Sequence, residues 1–135
     1  MTNFVGKHVP EVRDLLVTAA VSGTHVLLLG QPGCGKTAMS MAAADAMVGK
    51  DGMSVVRFNP TTSPAKVEGV VDYAALMSNP PLWKLVQDGT PYDPKTRIFV
   101  ADEVTRPNDA IFDLLLDVLD RLDVEPESAP VTFGT

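Results

Sequence analysis

The run Gly30-Gln31-Pro32-Gly33-Cys34-Gly35-Lys36-Thr37 constrains this chain more than any other stretch. It stands between an apolar run, Val26-Leu27-Leu28-Leu29, and an alanine- and methionine-rich helical pattern. A strand that turns through three glycines into a helix gathers backbone N–H groups around one point. The helix end adds its partial positive charge there. Such a concavity binds a polyphosphate. Lys36 is expected to reach the β- and γ-phosphate oxygens of a nucleoside triphosphate and to take part in catalysis, and the Thr37 hydroxyl to take one position on Mg²⁺. Gln31, Pro32, Gly33, Cys34, Gly35 and Ala38 complete the expected nucleotide-binding run. A glycine-rich turn that merely joins a strand to a helix rarely carries Gly-Lys-Thr at this spacing.

A second segment belongs with the first. Arg97-Ile98-Phe99-Val100-Ala101-Asp102-Glu103 predicts a buried parallel strand ending in two carboxylates, at the sheet edge where open α/β folds bind ligands. Asp102 is expected to hold the metal opposite Thr37. Glu103, projecting to the other side of the strand, is expected to polarise a water for in-line attack on the γ-phosphorus. Paired acids after a strand also serve as N-terminal charges of a following helix. The upstream glycine loop weighs for the catalytic alternative, and together the two segments point to ATP hydrolysis with Mg²⁺.

Composition bounds the setting. A chain of 135 residues supports one domain with a fair core. Hydrophobic residues make up 45% and charged residues 21%, yet no apolar run is long enough to cross a bilayer. Met1-Thr2-Asn3-Phe4 lacks the basic and apolar regions of a signal peptide, so a cytoplasmic location without a membrane partner is expected. The single cysteine excludes an internal disulfide. Cys34 sits at a helix N-terminus, which lowers a thiol pKa, but its position tolerates many small residues and a plain loop role is preferred over a redox one. With 17 acids against 11 bases, the net charge of −6 argues against a nucleic-acid face on this segment.

The apolar spacing of Val12, Leu15, Leu16 and Ala19 predicts a helix from about Val9 to Ala20, ended by Gly23. A second helix, Ala38 to Val48, is poor in charge and is expected to pack on the sheet, with Gly49 as terminator. Ser54 to Phe58 predicts a strand closed by Asn59-Pro60. The connection from Thr61 to Thr96 carries Pro64, Pro80, Pro81, Pro91 and Pro94, which leaves room for short helices around Lys66 to Ala75 and Pro81 to Gln87. After a turn at Thr105-Arg106-Pro107, a helix from about Asn108 to Leu122 sets Ile111, Phe112, Leu115, Val118, Leu119 and Leu122 in one stripe. Pro130 to Thr135 predicts a last strand reaching the ligand-binding edge.

These segments together resemble the first half of an AAA+ ATPase module, most closely the MoxR-like group. The resemblance is carried by Val5-Gly6, Thr24-His25-Val26-Leu27-Leu28-Leu29-Gly30, Arg57-Phe58-Asn59-Pro60 with Pro64 and Glu68-Gly69, and Ala101-Asp102-Glu103-Val104-Thr105-Arg106-Pro107. It implies an α/β P-loop NTPase fold, a three-layer sandwich with a mostly parallel sheet in the order 5-1-4-3-2. The last strand would then insert between the Val26 and Ile98 strands. It implies Val5 and Gly6 beside the adenine, a homo-oligomeric ring of six copies, and ATP-driven remodelling of a protein substrate, with a von Willebrand A-type protein as a candidate partner. It further implies that residues 1–135 form the N-terminal part of the nucleotide-binding core. They would stop before the first sensor residue, without the fifth strand, the arginine finger or the helical lid. Thr105 departs from the family's usual asparagine.

Rival classes are distinguishable. A small-molecule kinase shares the phosphate loop but has no need of a water-activating Glu, and the Asn-Lys-x-Asp segment that reads guanine in GTPases does not occur. A nucleotide-gated assembly module without turnover is the non-enzymatic alternative. His25 is expected to be a packed strand-entry residue and Glu68 a solvated loop acid. Tyr73 and Trp83 are open between a pore or surface role and anchoring the long connection. Arg106 is open between reaching a neighbour's nucleotide and pairing with Asp102, Glu103 or Asp109.

Overall fold

The computed structural model describes residues 9–30 and 35–135. Helix α1 (Val9–Ser22) closes with the Gly23 and Thr24 N–H groups on the Ala20 and Ala19 carbonyls, and leads to strand β1 (Val26–Leu27). Helix α2 (Lys36–Val48), strand β2 (Met53–Arg57), strand β5 (Ile98–Asp102), helix α5 (Asp109–Val124) and strand β6 (Val131–Gly134) complete the main body. The connection between β2 and β5 holds α3 (Ala65–Glu68), β3 (Val70–Val71), α4 (Tyr73–Leu76) and β4 (Leu85–Val86).

The four main strands are parallel and run in the order β1-β6-β5-β2. As expected, β6 lies between the Val26 and Ile98 strands. Crossovers through helices place layers on both faces, and the alternation along β5 shows it. Phe99 and Ala101 face a core with Val56, Phe58, Val67 and the α5 residues Ile111, Leu115 and Val118. Ile98 and Val100 face the opposite core with Leu16 of α1, Ala43 and Ala44 of α2, and Val131 and Phe133. This is the α/β three-layer sandwich of a P-loop NTPase.

Several local expectations need correction. Leu15 does not share the buried face of α1; it is exposed while Leu16 is fully buried. Phe112 is exposed on α5, and Leu114 packs against the core instead. The helix expected over Lys66 to Ala75 is two single-turn helices separated by β3. The break falls at Gly69, whose φ of 100° suits glycine, and an added Cβ would stand 2.4 Å from the Val86 carbonyl oxygen. The segment Pro81 to Gln87 forms no helix. Pro80 and Pro81 lack N–H donors, and β4 pairs antiparallel with β3.

The far end of this connection is tied to the sheet. Ser54 Oγ of β2 donates to the Thr90 carbonyl at 2.9 Å and lies 2.6 Å from Thr96 Oγ1, all buried. Asn108, just before α5, accepts the Ile111 N–H at 3.0 Å through its side chain, a cap that stabilises the helix by about 1 kcal/mol.

Candidate functional site

The site forms where β1, β5 and β6 end and α2 begins. Gly35, the N-cap of α2, has a φ of 85°, and nothing lies within 4 Å of a Cβ built there. Backbone conformation rather than space therefore demands glycine at this turn. Lys36 folds back so that Nζ donates to the Gly30 carbonyl at 2.8 Å, linking the two ends of the loop. The loop residues Gln31, Pro32, Gly33 and Cys34, and Val5 and Gly6, lie outside the described residues. Ala38 is exposed in the first turn of α2 and lines the same cavity as Lys36 and Thr37.

That cavity has a volume of about 870 Å³, within the range that accommodates a ligand of nucleotide size. Asp102, the last residue of β5, forms its floor with its side chain 14% exposed. Thr37 Oγ1 donates to Asp102 Oδ1 at 2.6 Å across 65 residues of sequence. Thr135 Oγ1 donates to the same oxygen at 2.7 Å and stands 3.3 Å from Thr37 Oγ1. Three oxygens thus converge on one point, a donor set suited to a hard cation. Among the described residues no group of three His, Cys, Asp or Glu side chains gathers as a metal site. Mg²⁺ is usually held by one or two carboxylates completed by substrate phosphates and waters, and in phosphate-loop NTPases a threonine hydroxyl joins that set.

Glu103 differs from expectation. It does not continue the strand to its opposite side; its φ of 56° turns the chain out of β5 in the left-handed region. Its Oε1 lies 3.3 Å from Arg57 Nη2 and its Oε2 3.4 Å from Arg106 Nη1, so both carboxylate oxygens face guanidinium groups. Arg106 thus pairs within its own chain. Arg57 also stands 3.7 Å from Asp102 Oδ2.

Arg57 and Thr135 were not among the residues expected here. The strand register brings both: Arg57 pairs with Asp102 across β2 and β5, and Gly134 pairs with Ala101, which sets Thr135 beside Asp102. His25 is a packing residue, as expected. Its Nδ1 accepts the Thr132 N–H at 2.9 Å and its Nε2 donates to the Leu119 carbonyl at 2.9 Å, tying β6 to α5. Glu68 lies in α3, away from the cavity. Tyr73 and Trp83 are 72% and 68% exposed, so neither is a buried anchor.

Compared with known protein families, the chain matches the model of the AAA domain, dynein-related subfamily, over residues 25–129. The chain belongs to this AAA family. The AAA domain is a nucleotide-binding ATPase module, and proteins of the family generally assemble as rings. No curated protein and no solved structure matches the chain. Among the described residues, no helix of this AAA domain is long and apolar enough to cross a membrane.

Proposed function

We infer that this AAA domain binds ATP with Mg²⁺ at the cavity between α2 and β5 and hydrolyses it within a MoxR-like remodelling ATPase. The observation that carries this reading is the hydrogen bond of Thr37, the residue after Lys36, to Asp102 at 2.6 Å. Lys36 exchanges its bond to the Gly30 carbonyl for the β- and γ-phosphate oxygens, a stronger charge-assisted partner. Gln31 to Gly35 and Ala38 cradle the phosphates, Val5 and Gly6 flank the adenine, and Thr37 and Asp102 hold the cation. Mg²⁺, when bound, neutralises phosphate charge and fixes the orientation of the β- and γ-oxygens. Glu103 takes the proton of the water whose oxygen attacks the γ-phosphorus, as the bond from that phosphorus to the β–γ bridging oxygen breaks and ADP leaves with the electron pair. Work of this kind fits a ring of identical copies, six by resemblance, acting on a protein partner such as a von Willebrand A-type domain, in the cytoplasm.

A second reading has one observation in its favour. Both oxygens of Glu103 are engaged by Arg57 and Arg106, which suits a domain that holds ATP to control assembly without turning it over. Steady-state ATP hydrolysis by the parent chain and by Glu103→Gln separates the two. Turnover slowed by roughly two or more orders of magnitude in the variant, with ATP still bound, supports the hydrolase. Bound ATP with no turnover in either protein supports the gated module, and equal turnover in both removes Glu103 from the water-activating role.

A further inference from the structure

We propose that Thr135 is a positioning residue for the cation-facing carboxylate: its hydroxyl fixes Asp102 so that Asp102 and Thr37 present their oxygens to one ion. The proposal rests on the Mg²⁺–nucleotide reading above and goes beyond it, since Thr135 lies outside the stretch 25–129 that the family model matches.

The backbone of Thr135 is held on both sides. Its N–H donates to the Ala101 carbonyl at 2.9 Å, and its carbonyl accepts the Val104 N–H at 3.0 Å. The residue therefore extends the β6–β5 ladder past Gly134, and its side chain is delivered to Asp102 by strand register. Each threonine hydroxyl has one proton. Thr37 and Thr135 both direct theirs at Asp102 Oδ1, at 2.6 and 2.7 Å, which leaves the lone pairs of Thr37 Oγ1 for a cation. With only the Thr37 bond, the carboxylate could rotate about that single contact. The other oxygen, Oδ2, has Arg57 Nε at 3.7 Å, but that side chain is 73% exposed and a weak orienting partner. Thr135 supplies the second fixed donor. Partners that orient a metal-binding carboxylate in this way typically change metal affinity by ten- to a hundredfold when removed, roughly.

The same strand contains its own control. Thr132 is buried and its Oγ1 has no hydrogen-bond partner among the described residues, so Thr132→Val removes a hydroxyl from β6 without touching Asp102. The experiment is calorimetric titration of ATP into the parent chain, Thr135→Val, Thr135→Ser and Thr132→Val, in EDTA and across a Mg²⁺ series. Thr135→Val is expected to need on the order of tenfold more Mg²⁺ for half of the metal-dependent gain in ATP affinity, with affinity in EDTA unchanged. Thr135→Ser and Thr132→Val are expected to follow the parent within about twofold. Should Thr135→Val not fold, Thr135→Ala carries the same expectation. The proposal is overturned if Thr135→Val follows the parent, if it loses affinity equally in EDTA, or if Thr135→Ser is as impaired as Thr135→Val. A parent chain whose ATP binding ignores Mg²⁺ overturns the metal reading itself. A responsive parent with an equally responsive Thr135→Val overturns only the role of Thr135.

Discussion

Strand β5 and the β3–β4 hairpin are both built from β-branched and apolar residues, yet their surroundings are opposite. Ile98, Phe99, Val100 and Ala101 are each 2% exposed or less, covered by helices on both faces, whereas Val70 and Val86 of the hairpin are 52% and 40% exposed. Phe99 and Trp83 make the same contrast with larger side chains, 0% against 68%. Burial on both faces fixes the direction of every side chain along β5 and sets where Asp102 comes to rest. The hairpin has two residue pairs in its ladder and takes its anchorage from a few hydrogen bonds, among them Gln87 Nε2 to the Glu68 carbonyl at 3.0 Å. Chemistry that needs fixed oxygens is accordingly placed at the sheet edge, and an exposed, lightly held segment is left on the periphery.

Substitutions in the two regions should differ in cost. Phe99→Ala removes a ring from the core between the sheet and α5 and should cost about 3–5 kcal/mol in urea unfolding. Trp83→Ala should cost about 0.5 kcal/mol or less, and comparable losses from the two would erase the distinction. Ser54→Ala leaves buried partners at Thr90 and Thr96 short of a hydrogen bond, with an expected cost of about 1–3 kcal/mol in the same assay. A cost near zero would show that the connection is not held to the sheet there.

The smallest effect concerns pH. Asp93 accepts the Lys95 and Gly89 N–H groups at 3.0 Å each, and these bonds hold its carboxyl below the usual aspartate range. A carboxyl with a depressed folded-state pKa contributes stability above its unfolded-state value and loses it as pH falls through the folded-state one. Asp93→Asn should therefore be slightly less stable than the parent in thermal melts at about pH 7, and the difference should shrink as pH falls through the lowered folded-state value. A difference that is independent of pH would assign the effect to the turn backbone instead of the charge.

What the sequence disclosed follows the same division. The continuous apolar run before Asp102, the low-charge pattern of α2 and the apolar spacing of Ile111, Leu115 and Val118 in α5 are local signals, and the elements form where those signals lie. The hairpin forms where short helices are expected, because its residues have no periodic face to bury and proline placement and cross-strand pairing decide its structure. At the site, Thr37 and Asp102 were legible from motif and strand end. Arg57 and Thr135 were not, because they enter through register between strands distant in sequence. The turn of Glu103 into the left-handed region had no local warning, since glutamate there carries no glycine-like signal.

The central claim is that the turn from Gly30 to Thr37, backed by Asp102, is a nucleotide site, and Lys36 is its most direct test. Calorimetry of ATP with Mg²⁺ on the parent chain and on Lys36→Ala should give measurable binding for the first and none for the second. The variant removes the ammonium that the proposed function assigns to the β- and γ-phosphates. Equal affinity in the two proteins would contradict the assignment of the site.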